Sequence, residues 1–289
     1  MGSGSFEAIA CRNVTKEFKK RKVLDDVGFT LSGGVNLLVG ENGAGKSTLF
    51  YLISGIIKPD RGIATLNGID SWKRHRQAMN EVSFMTEKPS VLGGSLVREH
   101  IYWFASLKGT GTERIVDYLH LFRVDYVLPA TFQSLSQGEM QLVMIACYLS
   151  TDSSIFILDE PNSNLDVNKR SLVSTAIRQK ADRSGSTFLI STHVLDEMMT
   201  IYDKILVLDK GSARFSAETG KPSYMSVLRT SNNDLVIVAI KEEDKGATLM
   251  NDAIFTSLNI KRCAEIASEK GIVIVSYFLI PEEMVKIYE

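Results

Sequence analysis

The nine residues Gly40-Glu41-Asn42-Gly43-Ala44-Gly45-Lys46-Ser47-Thr48 fit the spacing G-x-x-x-x-G-K-[ST]. Residues of these types in this order make a cradle for phosphate. Glycine at 40, 43 and 45 lets the backbone curl so that successive N–H groups face inward. A helix starting near Lys46 adds the positive end of its dipole. In such a loop Lys46 reaches the β- and γ-phosphates of a nucleoside triphosphate. The Ser47 hydroxyl ligates Mg²⁺, and Thr48 hydrogen-bonds the α-phosphate. The competing reading is a ligand-free glycine turn.

A second pair with chemical capacity is Asp159-Glu160, which follows the apolar run Ile155-Phe156-Ile157-Leu158. Such a run brings a strand to its carboxyl end and presents two adjacent carboxylates. Asp159 suits Mg²⁺, held through water. Glu160 suits polarising the water that attacks the γ-phosphate. A third segment is Leu135-Ser136-Gln137-Gly138-Glu139-Met140-Gln141, just ahead of a helical pattern. Taken alone it reads as a Ser N-cap with Glu139 as its capping-box partner.

These residues need elements to hold them. Val35 to Val39 reads as a buried strand before the glycine loop, and Thr48 to Ile53 as a helix after it. Ala8 to Cys11, Gly28 to Leu31 and Ile63 to Leu66 are further short strands, separated by turn signals such as Asn67-Gly68. From Val91 to Leu149 the pattern turns helical, with helices over 96–107, 113–122 and 138–150. Beyond it, strands at 154–158, 187–191 and 205–208 alternate with helices at 168–181 and 195–201. That alternation predicts a mostly parallel sheet with its ligand at the strands' carboxyl ends. The pattern restarts after Lys221. A strand over 235–240, a helix over 247–258, strands over 260–266 and 271–278, and a helix opened by Pro281 are predicted there. The segment from Thr219 to Ser223 reads as the linker into this β-α-β-β-α unit, which is similar to half-ferredoxin or regulatory folds.

The 289 residues, with a net charge of −1, allow a large domain and a smaller one. The balanced charge argues against a nucleic-acid partner. Cys11, Cys147 and Cys263 are far apart and lack metal-ligand spacing, so they read as buried apolar residues in a reducing compartment. Met1 to Ser5 has no apolar core and does not read as a signal peptide. No apolar run approaches the ~20 residues that span a bilayer.

Together the phosphate loop, the Asp-Glu strand and Leu135 to Gln141 resemble the motif set of ABC-type ATPases, whose signature is usually written L-S-G-G-Q. The resemblance covers roughly residues 8–215. It implies a P-loop α/β core with an antiparallel β subdomain and an α-helical subdomain at about 88–150. This nucleotide-binding domain would span 6–220, with a small C-terminal α+β domain at 221–289. It implies ATP and Mg²⁺ as cofactors. In that family one subunit's signature covers the γ-phosphate bound to the other, so Ser136 and Gly138 would face a partner's nucleotide. Ser163-Asn164-Leu165-Asp166 resembles the D-loop, which puts Asp166 at a dimer interface. Ser191-Thr192-His193 resembles the switch-histidine segment, which puts His193 at the γ-phosphate. Gly55 to Gly62 and Leu66-Asn67-Gly68 also resemble the family's text after the phosphate loop.

There are departures. Glu87 stands where the family often has glutamine; it either meets the metal or is a solvated carboxylate. Gln137 replaces the first signature glycine and Glu139 its glutamine, while Met140, Leu142 and Met144 replace basic residues. Phe18 takes the place of the aromatic that stacks on adenine, with a core or surface role as its alternative. The basic runs 19–22 and 73–76 read as solvated loops, with anionic lipid as the other reading. Ile101-Tyr102-Trp103-Phe104 should be mostly core, with one edge free to dock a partner.

The resemblance implies an exporter-like ATP-binding subunit at the cytoplasmic face of the cell membrane. It would pair with a second nucleotide-binding subunit and with separate integral membrane transport subunits. The alternative is a soluble non-transport ATPase of the same type that remodels or assembles a complex. The C-terminal domain would be a regulatory module, a dimerisation domain or neither.

Overall fold

A computed structural model describes residues 7–19, 21–41, 43–88, 91, 94–192, 201–216 and 224–281. The chain divides into two units, Met1–Phe215 and Ser216–Glu289. Strands of the first unit are β1 (Ile9–Phe18), β2 (Arg21–Leu31), β3 (Gly34–Val39), β4 (Arg61–Leu66), β5 (Ile69–Asp70), β6 (Val82–Met85), β7 (Ile155–Asp159), β8 (Thr187–Ser191), β9 (Lys204–Asp209) and β10 (Ser212–Ser216). Its helices are α1 (Lys46–Ile53), α2 (His75–Met79), α3 (Val97–Lys108), α4 (Thr112–Leu121), α5 (Gln137–Leu149) and α6 (Val167–Ser184).

The strands form an antiparallel sheet in the order β2-β1-β4-β5 and a six-stranded sheet in the order β10-β9-β3-β8-β7-β6. Within the second, β6, β7, β8, β3 and β9 run parallel. β7 and β8 are buried at every position, which is why their sequences are continuous apolar runs and do not alternate. The core of Leu38, Leu49, Phe50, Leu52, Ile155 and Leu189 joins this sheet to α1, and Leu24, Leu31 and Leu66 bring the antiparallel sheet into it. α3, α4 and α5 pack together as a helical layer.

β1 and β2 run further than the apolar segments 8–11 and 28–31 predict. Polar Arg12-Asn13 and Asp25-Asp26 break the alternation in the sequence, but the strands continue through bulged register. Asn13 and Asp26 both take left-handed φ, and the Asn13 amide donates to the Asp26 carboxylate at 2.8 Å. The stretch Ile101 to Phe104 is less buried than expected. α3 turns Val97, Ile101 and Ala105 inward at helical spacing, leaving Tyr102 60% and Trp103 65% exposed.

The second unit corrects the predicted elements. Its order is β11 (Tyr224–Thr230), α7 (Asn233–Glu243), β12 (Thr248–Met250), β13 (Ala253–Thr256), α8 (Ile260–Glu269) and β14 (Ile274–Pro281). The sheet order β12-β13-β11-β14, with a βαββαβ chain path, is ferredoxin-like. Thus 235–240 is helix, 247–258 holds a hairpin, and 260–266 is helix. Asn232 and Asn259 start the two helices, accepting from the backbone N–H groups of Leu235 and Arg262. Asn251 and Asp252 both take left-handed φ and turn the hairpin. Pro281 closes β14, and the helix predicted to follow it lies outside the described residues. The helix predicted over 195–201 and the linker residues 219–223 lie almost wholly outside the described residues.

Candidate nucleotide site

β3 delivers the chain to Gly40 at its carboxyl end. A Cβ on Gly40 would sit 2.4 Å from the Leu208 carbonyl oxygen on β9, so the loop can pass there only as glycine. Gly45 takes φ 104 as the residue before α1, and α1 has no side-chain cap. Its first N–H groups are thereby left to an anion. Lys46 is buried and arches back over the loop, donating to the carbonyl oxygens of Gly40 at 2.6 Å and Glu41 at 3.2 Å. An ammonium has three N–H bonds, so one more can go to a phosphate.

β7 brings Asp159 to the same end of the sheet, and β8 pairs with it in register, Asp159 opposite Ser191. The Ser191 hydroxyl donates to Asp159 Oδ1 at 2.5 Å and accepts the Glu160 N–H at 3.0 Å. Glu160 holds a left-handed φ of 51° and is buried. From α5, Gln141 Nε2 donates to the carbonyl oxygens of Glu160 at 3.2 Å and Pro161 at 3.1 Å.

One cavity of about 290 Å³ is lined by Val23, Glu41, Gly43, Gly45, Lys46, Ser47, Thr48, Glu87, Asp159 and Glu160. It thus brings together the phosphate-loop residues, both members of the Asp-Glu pair and Glu87. Gly40 and Ala44 belong to the same loop. Phe18 stands at the tip of the β1–β2 hairpin, 46% exposed, with the Lys16 ammonium 5.2 Å from its ring centre. Val23 on β2 lines the cavity and Phe18 does not. Asn42 and His193 lie outside the described residues.

Ser136, Gly138 and Asp166 line a different hollow of about 580 Å³, with Tyr126, Glu139 and Lys169. Ser136 caps α5, accepting the Glu139 N–H at 3.2 Å, and the Glu139 carboxylate takes the Ser136 N–H at 2.8 Å. The Ser136 hydroxyl and the Tyr126 hydroxyl also donate to Glu139, each at 2.7 Å. Those hydrogen bonds, Ser136 first, hold the Glu139 carboxyl below its ordinary pKa. Asp166 caps α6, accepting the Lys169 N–H at 2.9 Å. The capping box read from the sequence is present, and it engages the Ser136 hydroxyl itself.

A profile of the ABC transporter family matches residues 24–163. Over 210 residues the chain is 30% identical to an ABC transporter ATP-binding protein of Methanocaldococcus jannaschii, covering 71% of this chain and 75% of that one. This chain belongs to the ABC transporter family. It is also 31% identical over 214 residues to the Nod factor export ATP-binding protein I of Sinorhizobium fredii, across 72% of this chain. The chain spans 62% of that protein's length, and 13% of a much longer mouse relative. Among solved structures, the ATP-binding subunit of an ABC transporter superposes with a TM-score of 0.67 at 25% identity, covering 73% of this chain and 90% of that one. Its fold is that of the ABC cassette.

The ABC cassette's cavity suits a nucleotide carried with a cation. Its lining holds the carboxylates of Glu41, Glu87, Asp159 and Glu160 against the single ammonium of Lys46. A bare triphosphate would meet net repulsion there, whereas a divalent cation meets hard oxygen donors. No cluster of three or more His, Cys, Asp or Glu side chains suited to a metal exists among the described residues. Magnesium sites at phosphates need only one or two protein carboxylates. Sequence reasoning did not find Val23, and it named Ser191 and Gln141 only within the switch and signature segments, without their roles. Ser191 had a signal, since it ends an apolar run beside Asp159's strand, but the contacts of Gln141 reach 19 and 20 residues away.

Proposed function

We propose that this chain is the ATP-binding subunit of a transporter, working as a pair of nucleotide-binding subunits beneath separate membrane-spanning subunits. The observation that supports it is the separation of two half-sites. Lys46, Ser47, Asp159 and Glu160 line one cavity, while Ser136 and Gly138 line another. Each half lacks what the other has, so a second copy completes both. Two nucleotides would then lie between the phosphate loop of one copy and the signature of the other.

In this reading Lys46 and the α1 N–H groups bind the phosphates and stabilise charge in the transition state. Ser47, Asp159 and Glu87 would hold magnesium, which when bound offsets phosphate charge. Glu160 orients a water on the γ-phosphorus and takes its proton as the bond to the β-phosphate oxygen breaks. His193 adds a further hydrogen bond to the γ-phosphate, and Phe18 covers the adenine. Ser136 and Gly138 hold the partner's γ-phosphate, and Asp166 sits at the joint between the copies. Closure around ATP would move the membrane subunits, and hydrolysis would reset them. No helix among the described residues is long and apolar enough to cross a membrane. Exposed Tyr102, Trp103 and Leu107 on α3 support docking of a partner there.

Subunit mixing tests the composite site. Lys46→Met and Ser136→Asp should each abolish turnover alone. Mixed together they should regain a measurable fraction of it, because one site of each mixed dimer keeps both wild-type halves. No recovery on mixing would overturn the reading.

A further inference from the structure

Gln141 makes contacts that link the two half-sites within one copy. It lies on α5 in the turn after Ser136, 4% exposed, and its amide faces the Glu160 and Pro161 carbonyl oxygens. Only the NH₂ end of an amide can face two carbonyls, so its orientation is fixed. Glu160 needs such holding. A left-handed φ is unfavourable for a residue with a Cβ and persists only where its surroundings impose it. Ser191 holds its N–H, and the Ser163 N–H at 3.1 Å together with Gln141 holds its carbonyl. α5 itself is rigidly seated, with residues 142–147 all buried. Its amino end carries Ser136, about 7.5 Å along the axis from Gln141.

We infer that Gln141 is a positioning residue that ties the main chain of Glu160 to the signature helix. Seating of the partner's nucleotide on Ser136 then fixes Glu160 in this copy's own cavity, so the two sites fire in concert. This rests on the composite-site reading above.

The test uses the full chain and the substitutions Gln141→Met, similar in size without donors, and Gln141→Glu. Gln141→Met should lower the maximal ATPase rate about tenfold, as expected for loss of buried hydrogen bonds. The Kd for a fluorescent ATP analogue should stay unchanged, and the Hill coefficient should fall toward one. In a Glu160→Gln background, Gln141→Met should cost nothing further, because the group it positions is gone. Gln141→Glu should regain rate as pH falls, since the neutral acid donates a hydrogen bond and the buried carboxylate repels the carbonyls.

An equal loss in the Glu160→Gln background would overturn the inference, as would a Kd that weakens in step with the rate or a Gln141→Glu variant with the wild-type pH profile. Failure of the underlying reading looks different. It would appear as near-normal turnover in Glu160→Gln alone, before Gln141 is altered.

Discussion

Gly138 and Asn164 pack so closely that a Cβ on the glycine would fall 2.7 Å from the Asn164 carbonyl oxygen. The signature turn and the segment after Glu160 therefore touch through bare backbone. Gly138→Ala gains at most about 1 kcal/mol of helix propensity. Against that stands overpacking of about 1–3 kcal/mol, because a main-chain oxygen cannot swing aside. The clash wins. The melting temperature should drop by a few degrees and ATP turnover should fall, with nucleotide binding to the single chain kept. A variant as active and as stable as the parent would refute the packing argument.

Lys46→Met removes a buried ammonium that donates to Gly40 and Glu41. ATP affinity should weaken about ten- to a hundredfold, the worth of one or two charge-assisted hydrogen bonds. Calorimetric titration with Mg-ATP measures it directly.

His100 supplies a pH dependence of stability. It is half-buried on α3, edge-on to Phe132 at 4.9 Å, and its Nε2 has no partner among the described residues. Burial lowers its pKa below the ordinary 6.5. The unfolded chain therefore binds the proton more readily than the folded one. Its contribution is complete above about pH 6.5 and is lost as pH falls toward the folded value. Melting curves between pH 7.5 and 5.5 should show this decline, and His100→Leu should flatten it.

The thiols should be inert in the folded chain. Cys11, Cys147 and Cys263 are all buried. Burial raises all three, Cys147 to about 12 and Cys263 to about 11, so little thiolate exists at pH 8. Iodoacetamide at pH 8 should leave the native chain unmodified and should alkylate three sites after denaturation.

The first unit was readable because its chemistry lies in contiguous residues flanked by unambiguous elements. Gly40 to Thr48 runs from the end of β3 into the first turn of α1, and Asp159-Glu160 stands at the carboxyl end of a five-residue buried strand. The second unit was not, because its apolar runs are short. Leu235 to Ile240 is six residues long, within reach of either helix or strand, and the deciding marks were the caps Asn232 and Asn259. Asn251-Asp252 is a hairpin turn hidden inside a passable helical pattern. Gln141 and Val23 join the site through folding alone. Nothing in the spacing of either residue announces the carbonyl or the cavity it meets.

The hydroxyl of Ser191 gives a proton to one acidic residue and receives one from the backbone of the next, across a parallel strand pair. A slip of one residue between those strands would point Ser191 to the opposite side of the sheet. The carboxylate would then lose its donor and the left-handed residue its anchor. The pairing register of two core strands and the posture of two adjacent acidic residues are thus one property, set together when the sheet zips up.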